Sequence, residues 1–410
     1  MTKIADPKLA EAGKKNFLWA QAHMGALTLL ASKHLKSKPL DGVSLGVCLH
    51  VTKETSVLID SLVALGAEVT LAAANPLSTQ DDIAAYLCNK AEVFAWRGES
   101  AKEYDWCLHQ VLGARPDQLI DDGADLHVAA HTSRAKGIVG GSEETTTGVV
   151  RLSALESEGR LSYPVIAVNN AQTKFLFDNR YGTGQSTFDG ILRATALLLA
   201  GKRVVVVGYG WVGKGVAMRA RGMGARVVVV EVDPIKAVEA HLDGFDVSDI
   251  NRAAAEGDLF ITVTGQKGVI PYEAIERMKE GAILVNAGHF DVEIDVKTLL
   301  ARAKRIQQVR PNVDELSLPN GRRVYLLGKG RIANLVAAEG HPPEVMQMSF
   351  ANQLMAAIRI REHGREMRKE VYGVDEETDR EIARAALASM GVTIGTPTRD
   401  QKVYAKSWKI

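Results

Sequence analysis

The stretch that decides the fold runs from Lys202 to Asp233 and reads K-R-V-V-V-V-G-Y-G-W-V-G-K-G-V-A-M-R-A-R-G-M-G-A-R-V-V-V-V-E-V-D. Four consecutive valines, Val204 to Val207, predict a fully buried strand, and Gly208, Gly210 and Gly213 follow it before a helical pattern begins at about Val212. The first glycine allows a tight turn, the second lets backbone approach a pyrophosphate, and the third lets the helix pack closely on the strand. The helix N-terminus then faces the phosphates. A second valine run, Val227 to Val230, ends in Glu231, placed about twenty residues beyond the motif as an acidic partner requires. A carboxylate there can accept hydrogen bonds from both hydroxyls of an adenosine ribose and repels a 2′-phosphate, so NAD rather than NADP is expected. A lone G-x-G-x-x-G is weak evidence, since glycine turns also serve packing; here strand, turn, helix, second strand and acid fall in register. Trp211 and Val212, at the helix start, join the glycines as expected cofactor-binding positions.

Around this stretch the chain has 410 residues, 46% of them hydrophobic, too many for one core and enough for two or three domains. The 50 basic and 49 acidic side chains leave a formal net charge of +1 and are interspersed, which predicts neither a basic face for nucleic acid nor an acidic tail. The longest early apolar stretch, Met24 to Ala31, is far short of a membrane span, and Met1 to Lys15 has no signal-peptide core, so a cytoplasmic location is expected. Cys48, Cys88 and Cys107 lack metal-type spacing and read as reduced thiols, with no metal site.

Taken in order, residues 1 to 40 read as helical. From Val43 the chain alternates strand and helix, with strands at G-V-S-L-G-V-C-L, A-E-V-T-L-A-A-A, near Val93 and at Gln118 to Ile120. That alternation predicts a parallel α/β layer. Polar clusters follow the strand ends: His50 after the first, Asn75-Pro76 after the second, Asp121-Asp122-Gly123 after the fourth. In open parallel sheets ligands bind outside the carboxyl ends of strands, which places these residues at one crevice. The segment G-G-S-E-E-T-T-T-G, residues 140 to 148, reads first as a helix start, because Ser and Thr cap helices and Glu favours the first turn. Beyond the strand in Y-P-V-I-A-V-N, Lys174 and Asp178 stand four apart on one helical face, the spacing of an ordinary surface ion pair. The glycine-rich domain continues through strands at Leu259 to Val263, Ala282 to Val285 and Val324 to Leu327, with His289 and His341 in loops beside glycine. Val345, Met348, Ala351, Met355 and Ile358 mark a long amphipathic helix that needs a partner surface.

The segments C-L-H-V-T-K-E-T, N-P-L-S-T-Q-D-D, V-F-A-W-R-G-E, D-D-G-A-D-L, S-E-E-T-T-T-G, K-F-L-F-D-N-R-Y-G-T-G-Q-S, G-Y-G-W-V-G-K-G, N-A-G-H-F-D-V-E-I-D and G-H-P together resemble S-adenosylhomocysteine hydrolase over nearly the whole chain. The resemblance implies an α/β chain of two doubly wound Rossmann-like domains with a small C-terminal tail. Residues 1–184 would bind substrate, 185–343 would bind NAD, 344–385 would return to the substrate domain, and 386–410 would form a tail at a subunit interface. The family hydrolyses S-adenosylhomocysteine reversibly to adenosine and homocysteine with a tightly held NAD restored each cycle, and is typically a tetramer. Oxidising the 3′-hydroxyl makes the C4′ proton acidic, so a poor thioether leaving group at C5′ can depart by elimination before water adds and the hydride returns.

Carried over residue by residue, the resemblance assigns base chemistry at the 3′ and 4′ positions to Lys174 and Asp178, joined by Asn179. Acid/base work at the 5′ side falls to His50, Asp122 and His289. Glu144 would bind the ribose hydroxyls, Thr52 and Glu54 with Glu339 the remainder of the substrate, and His341 would gate the pocket. Thr145, Thr146, Thr147, Asn286 and Asn334 would touch the nicotinamide side of NAD. Two departures stand out. The family's N-D-S-V-T-K is Asn169-Asn170-Ala171-Gln172-Thr173-Lys174 here, and A-M-G-H-P has Glu339 for methionine. Y-G-T-G-Q-S and the W-V-G loop resemble the shorter branch of archaea and some bacteria, part of which prefers S-inosylhomocysteine. Glu54 favours adenine, because a carboxylate accepts from a 6-amino group and opposes the carbonyl of hypoxanthine. A partial oxidation or elimination on another nucleoside is the alternative within enzymes, and a non-catalytic NAD-binding regulator the alternative class. The presence of Lys174, Asp178, His50, Asp122 and His289 together argues against the regulator.

Overall fold

The valine runs of the glycine-rich stretch are continuous because each strand is covered on both faces. Val204, Val206, Val227 and Val229 pack into one hydrophobic layer, and Val205, Val207, Val228 and Val230 into the opposite one. A strand buried on both sides has no polar-out position, so alternation disappears from its sequence. In this computed structural model, which describes residues 2–408, two eight-stranded sheets carry the chain.

The first sheet holds β1 (Lys3–Ile4), β2 (Ser44–Leu49), β3 (Glu68–Ala73), β4 (Glu92–Ala95), β5 (Gln118–Asp121), β6 (Gly140–Glu143) and β7 (Val165–Ala167). Its strands lie side by side in the order β1-β4-β3-β2-β5-β6-β7 and all pair in parallel. The second sheet holds β8 (Arg203–Val207), β9 (Arg226–Val230), β10 (Asp246–Ser248), β11 (Leu259–Thr262), β12 (Ala282–Asn286), β13 (Arg305–Arg310), β14 (Val313–Ser317) and β15 (Arg323–Leu327). Its order is β10-β9-β8-β11-β12-β15-β14-β13, parallel except for the antiparallel run β15-β14-β13. The last strand, β16 (Val371–Gly373), pairs in parallel with β7 and so returns the chain to the first sheet. Both sheets are doubly wound, as expected.

Strand order reverses between β2 and β5 in the first sheet and between β8 and β11 in the second. Such a reversal opens a crevice at the carboxyl ends of the two diverging strands. His50 and Asp122 leave one of these crevices, and Gly208 and Thr264 leave the other.

The chain crosses between the sheets without a loose linker. Gln172–Lys174 starts a helix, Phe175–Gly182 widens to a π-helix, and Thr183–Thr195 continues as an α-helix. The expected boundary at 184/185 therefore falls inside one continuous helical rod. A Cβ on Gly215 would overlap the carbonyl of Arg180, so the helix Trp211–Gly222 lies backbone against backbone on that rod. The return is the helix Pro343–His363, whose buried residues include Met348, Ala351 and Ile358 of the expected stripe.

Several local expectations change. A short strand, β1, precedes the helices of the first forty residues and pairs with β4. Residues Gly140–Glu143 form a fully buried central strand, which their glycines and acids conceal from a propensity-based reading. The boundary at 385/386 lies within the helix Glu376–Ser389. Beyond it, residues Arg399–Tyr404 form a helix with no buried residue.

Candidate active site

The two crevices open into one cavity of about 500 Å³. Its wall includes Thr52, Glu54, Thr145, Thr146, Thr147, Gly210, Trp211, Val212 and Asn334, together with the two clusters of ionisable groups described next.

The first cluster grows from the rod. Lys174 Nζ lies 3.2 Å from Asp178 Oδ2 and 3.6 Å from Glu144 Oε1, and it donates to Asn179 Oδ1 at 2.8 Å. An α-helix brings the residues three and four ahead onto the lysine's face; the wider π turn also brings Asn179, five ahead, beside Asp178. All three ionisable groups are buried, so the surface-pair reading does not hold. Burial alone would lower the Lys174 amine, but Asp178, Glu144 and Asp122 outweigh it and raise its pKa. Burial would likewise raise Asp178, yet Lys174 and His341 hold it well below the ordinary carboxylate range. Glu144 goes the other way: burial, opposed by Lys174, pushes it up to about 8.

The second cluster sits at the carboxyl ends of β2, β5 and β12. His50 Nε2 is 3.6 Å and His289 Nδ1 3.7 Å from the two carboxylate oxygens of Asp122. His50 Nδ1 hydrogen-bonds Ser78 Oγ at 2.8 Å, and burial lowers its pKa to about 4 against the attraction of Asp122. The imidazole is therefore neutral at pH 7. Asp122 holds two histidines around one face of the cavity, and Gly123 has no room for a side chain because a Cβ would meet His289 Nε2.

His341 links the clusters to the return helix. Its Nδ1 is 2.5 Å from Asp178 Oδ1, and its Nε2 lies 3.2 Å from Thr183 Oγ1 and 3.0 Å from Asn334 Nδ2.

Sequence reasoning missed the groups that hold these clusters in place. Ser349 donates to Asp178 Oδ2 at 2.7 Å and Gln353 to Glu144 Oε2 at 2.6 Å, both from the return helix. Asp379 accepts from the backbone of Gln172 at 2.7 Å and Thr173 at 2.9 Å, so a carboxylate from a distant helix supports the altered turn Asn170 to Gln172. Glu143, rather than Glu144, braces the threonine turn, accepting from Gly123 and Thr145 N–H at 2.8 and 2.9 Å. Glu293 accepts from Thr264 and Gly265 N–H, both at 2.8 Å, and fixes the loop after β11. The only sequence signal for these was an acidic or polar residue amid apolar neighbours.

On the cofactor side, Gly208 has φ +108°, a backbone that favours glycine, and a Cβ on Gly213 would overlap the Gly208 carbonyl. A Cβ on Gly210 would meet nothing within 4 Å, so the space a phosphate needs is open there. Asn334 Oδ1 is buried without a hydrogen-bond partner and remains an acceptor for a ligand amide. These features fit a dinucleotide. Glu231 already accepts from the N–H groups of Tyr209, Val232 and Asp233 at 2.7, 2.7 and 3.0 Å. Of its roughly four acceptor positions, that leaves about one for a ribose hydroxyl, fewer than expected.

Five expected contacts, Gly208, Gly213, Glu231, Asn286 and Glu339, do not line the cavity, and the last two are engaged elsewhere. The Asn286 amide is spent on the carbonyls of Gly288, Phe290 and Gly330, and it positions the loop of His289 instead of facing the cavity. Glu339 is more than half exposed and pairs with Lys53 at 3.0 Å and Arg193 at 3.2 Å.

A family model described as S-adenosyl-L-homocysteine hydrolase matches residues 1–136, and one described as S-adenosyl-L-homocysteine hydrolase, NAD binding domain, matches residues 179–340. The chain belongs to the S-adenosyl-L-homocysteine hydrolase family. A relative from Aeropyrum pernix named adenosylhomocysteinase is 56% identical over 99% of each chain. One from Methanocaldococcus jannaschii named S-inosyl-L-homocysteine hydrolase is 51% identical over 100% of this chain and 99% of its own. The second sheet thus lies in the part matched by the family's NAD-binding domain, and the cavity joins it to the part matched by the other family model. No helix among the described residues is long and apolar enough to cross a membrane.

Proposed function

We propose that this chain hydrolyses S-adenosyl-L-homocysteine reversibly to adenosine and L-homocysteine. The observation that carries the reading is the meeting, in one cavity, of the Lys174 cluster, the Asp122 cluster and the open glycine turn. When bound, NAD supplies a reversible hydride acceptor for the 3′ carbon. The turn Gly208 to Gly213 and the N-terminus of the helix Trp211–Gly222 would hold its pyrophosphate, Glu231 a ribose hydroxyl, and Asn334 with Thr145, Thr146 and Thr147 its nicotinamide end.

The side chains divide the proton transfers. Lys174 takes the 3′-hydroxyl proton. Its ammonium form is favoured by its neighbours, and it becomes a base when Glu144, raised by burial to about 8 and so protonated in most molecules at pH 7, is in its ionised form and takes the amine's proton. Asp178, held ionised, orients the amine and stands beside the C4′ proton with Asn179. On the 5′ side neutral His50 accepts a proton from attacking water, while Asp122 and His289 handle the proton of the leaving sulfur. Closure of His341 over the nucleoside excludes bulk water from these transfers.

Adenine is favoured over hypoxanthine because Glu54, buried on the cavity wall, faces Lys53 as its counter-ion and so remains an acceptor. Assaying purified protein against S-adenosyl- and S-inosylhomocysteine side by side tests the choice; higher efficiency with the inosyl compound reverses it, and turnover of neither rejects the reading. A cytoplasmic homotetramer is the assembly we favour. Support for the assembly is an exposed apolar stripe, Ile235, Val238 and Leu242 along the helix Pro234–Leu242 with Val232 just before it, between 59% and 96% exposed, which suits burial against another copy. Sedimentation at equilibrium reads the mass directly.

A further inference from the structure

Lys53 opens the helix Lys53–Ala64 and is 8% exposed, an unusual place for a lysine. Its Nζ stands 3.3 Å from Glu54 Oε1 and 3.0 Å from Glu339 Oε2. The two carboxylates differ sharply. Glu54 is 1% exposed and lines the cavity, and its Oε1, the oxygen that faces Lys53, is buried and makes no well-formed hydrogen bond. Glu339 lies outside, also paired with Arg193, and its backbone carbonyl accepts from Gln80 Nε2 at 3.3 Å. Gln80 Oε1 in turn accepts from the Lys53 N–H at 3.1 Å, which fixes the start of the helix against the Glu339 loop.

A carboxyl group buried this deeply has two forms with opposite hydrogen-bonding character. Ionised, it only accepts; protonated, it can donate. A purine presents a donor at position 6 when that substituent is an amine and an acceptor when it is a carbonyl. The charge on Glu54 therefore decides which base fits, and the neighbour that sets this charge is Lys53.

We infer that Lys53 is a specificity-determining residue: by facing Glu54 with a fixed positive charge at 3.3 Å, it keeps that carboxylate an acceptor and makes the site read a 6-amino purine in preference to a 6-oxo purine. The inference rests on the reading of the cavity as a nucleoside site. Glu339 shares the lysine and weakens the hold on Glu54, so the second carboxylate moderates the preference without touching the base. Burial raises the pKa of Glu54 above the ordinary carboxylate value, and the Lys53 charge is the largest influence that lowers it, so the lysine limits the rise without cancelling it.

The test uses the NAD-loaded protein and the ratio of kcat/KM for S-adenosyl- and S-inosylhomocysteine. Lys53→Met keeps the buried stem and removes the charge; the ratio should fall by about tenfold to a hundredfold, the span of a hydrogen bond to a charged acceptor. Lys53→Arg should hold the ratio near that of the parent protein. In a Glu54→Gln background, Lys53→Met should move it no further, because no ionisable group is left to control. Equal falls in the Met and Arg variants, or a full fall in the Glu54→Gln background, overturn the inference. Retained NAD in each variant reports an intact fold, and if Lys53→Met fails that check, Glu339→Gln decides: Lys53 is left to Glu54 alone, and the ratio should rise by about twofold or more. A ratio that stays or falls in that variant overturns the inference as well. Turnover of neither substrate by the parent protein is a different failure, that of the proposed function.

Discussion

The two crevices share one strand order and are built from different materials. Around β8 and β11 the ligand surface is backbone: a turn of three glycines, the first N–H groups of a helix, and a carboxylate, Glu231, itself saturated largely by backbone donors. Around β2 and β5 it is side chain: three histidines, four carboxylates and a lysine, each buried or largely so. A backbone surface has fixed partial charges and nothing to titrate, which suits holding a cofactor unchanged through a cycle. A buried side-chain surface is where proton affinities can be pushed apart, which suits moving protons. One topology thus supplies a grip and a reaction chamber, depending on whether glycine or ionisable residues follow the strands.

The sharpest way to break this comparison is to remove the central titratable group of the chemical crevice. Lys174→Met should lower the rate at which adenosine reduces bound NAD by about 10²–10⁴-fold, the usual contribution of a positioned proton-transfer group. Rapid-mixing absorbance of the reduced nicotinamide reads the rate, and NAD content should be unchanged. A normal rate would hand the 3′-proton to another residue, with Glu144 the first candidate.

In the glycine crevice the corresponding damage is steric. Gly213→Ala forces a methyl into the Gly208 carbonyl, and overpacking of that kind costs about 1–3 kcal/mol in stability. Denaturant midpoints should show it even in protein stripped of NAD. Gly210→Ala is the control within the same turn. Its Cβ enters open space, so stability without NAD should hold, whereas affinity for NAD should fall by about tenfold as the methyl occupies room meant for phosphate. If both variants destabilised the stripped protein equally, Gly210 would be a packing glycine and the phosphate site would lie elsewhere.

The two crevices were also unequally legible. The glycine turn could be read because its signal is local: buried valines, three glycines and an acid within thirty-two consecutive residues, Lys202 to Asp233. The side chains proposed for catalysis could be named only through family resemblance, since by spacing alone Lys174 and Asp178 are an ordinary helical ion pair. What makes them otherwise is remote. Ser349 and Gln353 reach Asp178 and Glu144 from 171 and 209 residues away, and Asp379 supports the turn before Lys174 from a different helix, Glu376–Ser389. The π winding of Phe175–Gly182 shifts hydrogen bonds by one residue, and its residue types carry no mark of that; the packing of Gly215 on Arg180 does. Likewise β6 escaped notice because Gly140, Gly141 and Glu143 are poor strand formers, placed in the sheet by neighbours β5 and β7.

The smallest effect expected of the comparison is a slope. Glu144 has an ordinary carboxyl pKa of 4.5 raised by burial to about 8 in the folded chain. Below about pH 4.5 it is protonated whether the chain is folded or not, and its contribution to stability is fully present. Between 4.5 and 8 the unfolded chain releases this proton while the folded chain retains it, so unfolding binds fewer protons and stability falls as pH rises. Above 8 both forms are ionised and the contribution is gone. Glu144→Gln removes the titration and keeps the shape, so the variant should gain stability relative to the parent across this window. The gain should rise with pH by at most about 1.4 kcal/mol per unit, the most that one proton can give. The other raised carboxyls, Asp121 and Glu143 among them, are common to both proteins and cancel in the difference. Urea midpoints of the two proteins at a series of pH values make the measurement. A difference that is flat with pH would mean that Glu144 is ionised throughout, with Lys174 fully paired to it, and the route proposed for freeing the lysine as a base would be lost. No such slope should attend Gly210→Ala or Gly213→Ala, neither of which removes a titratable group.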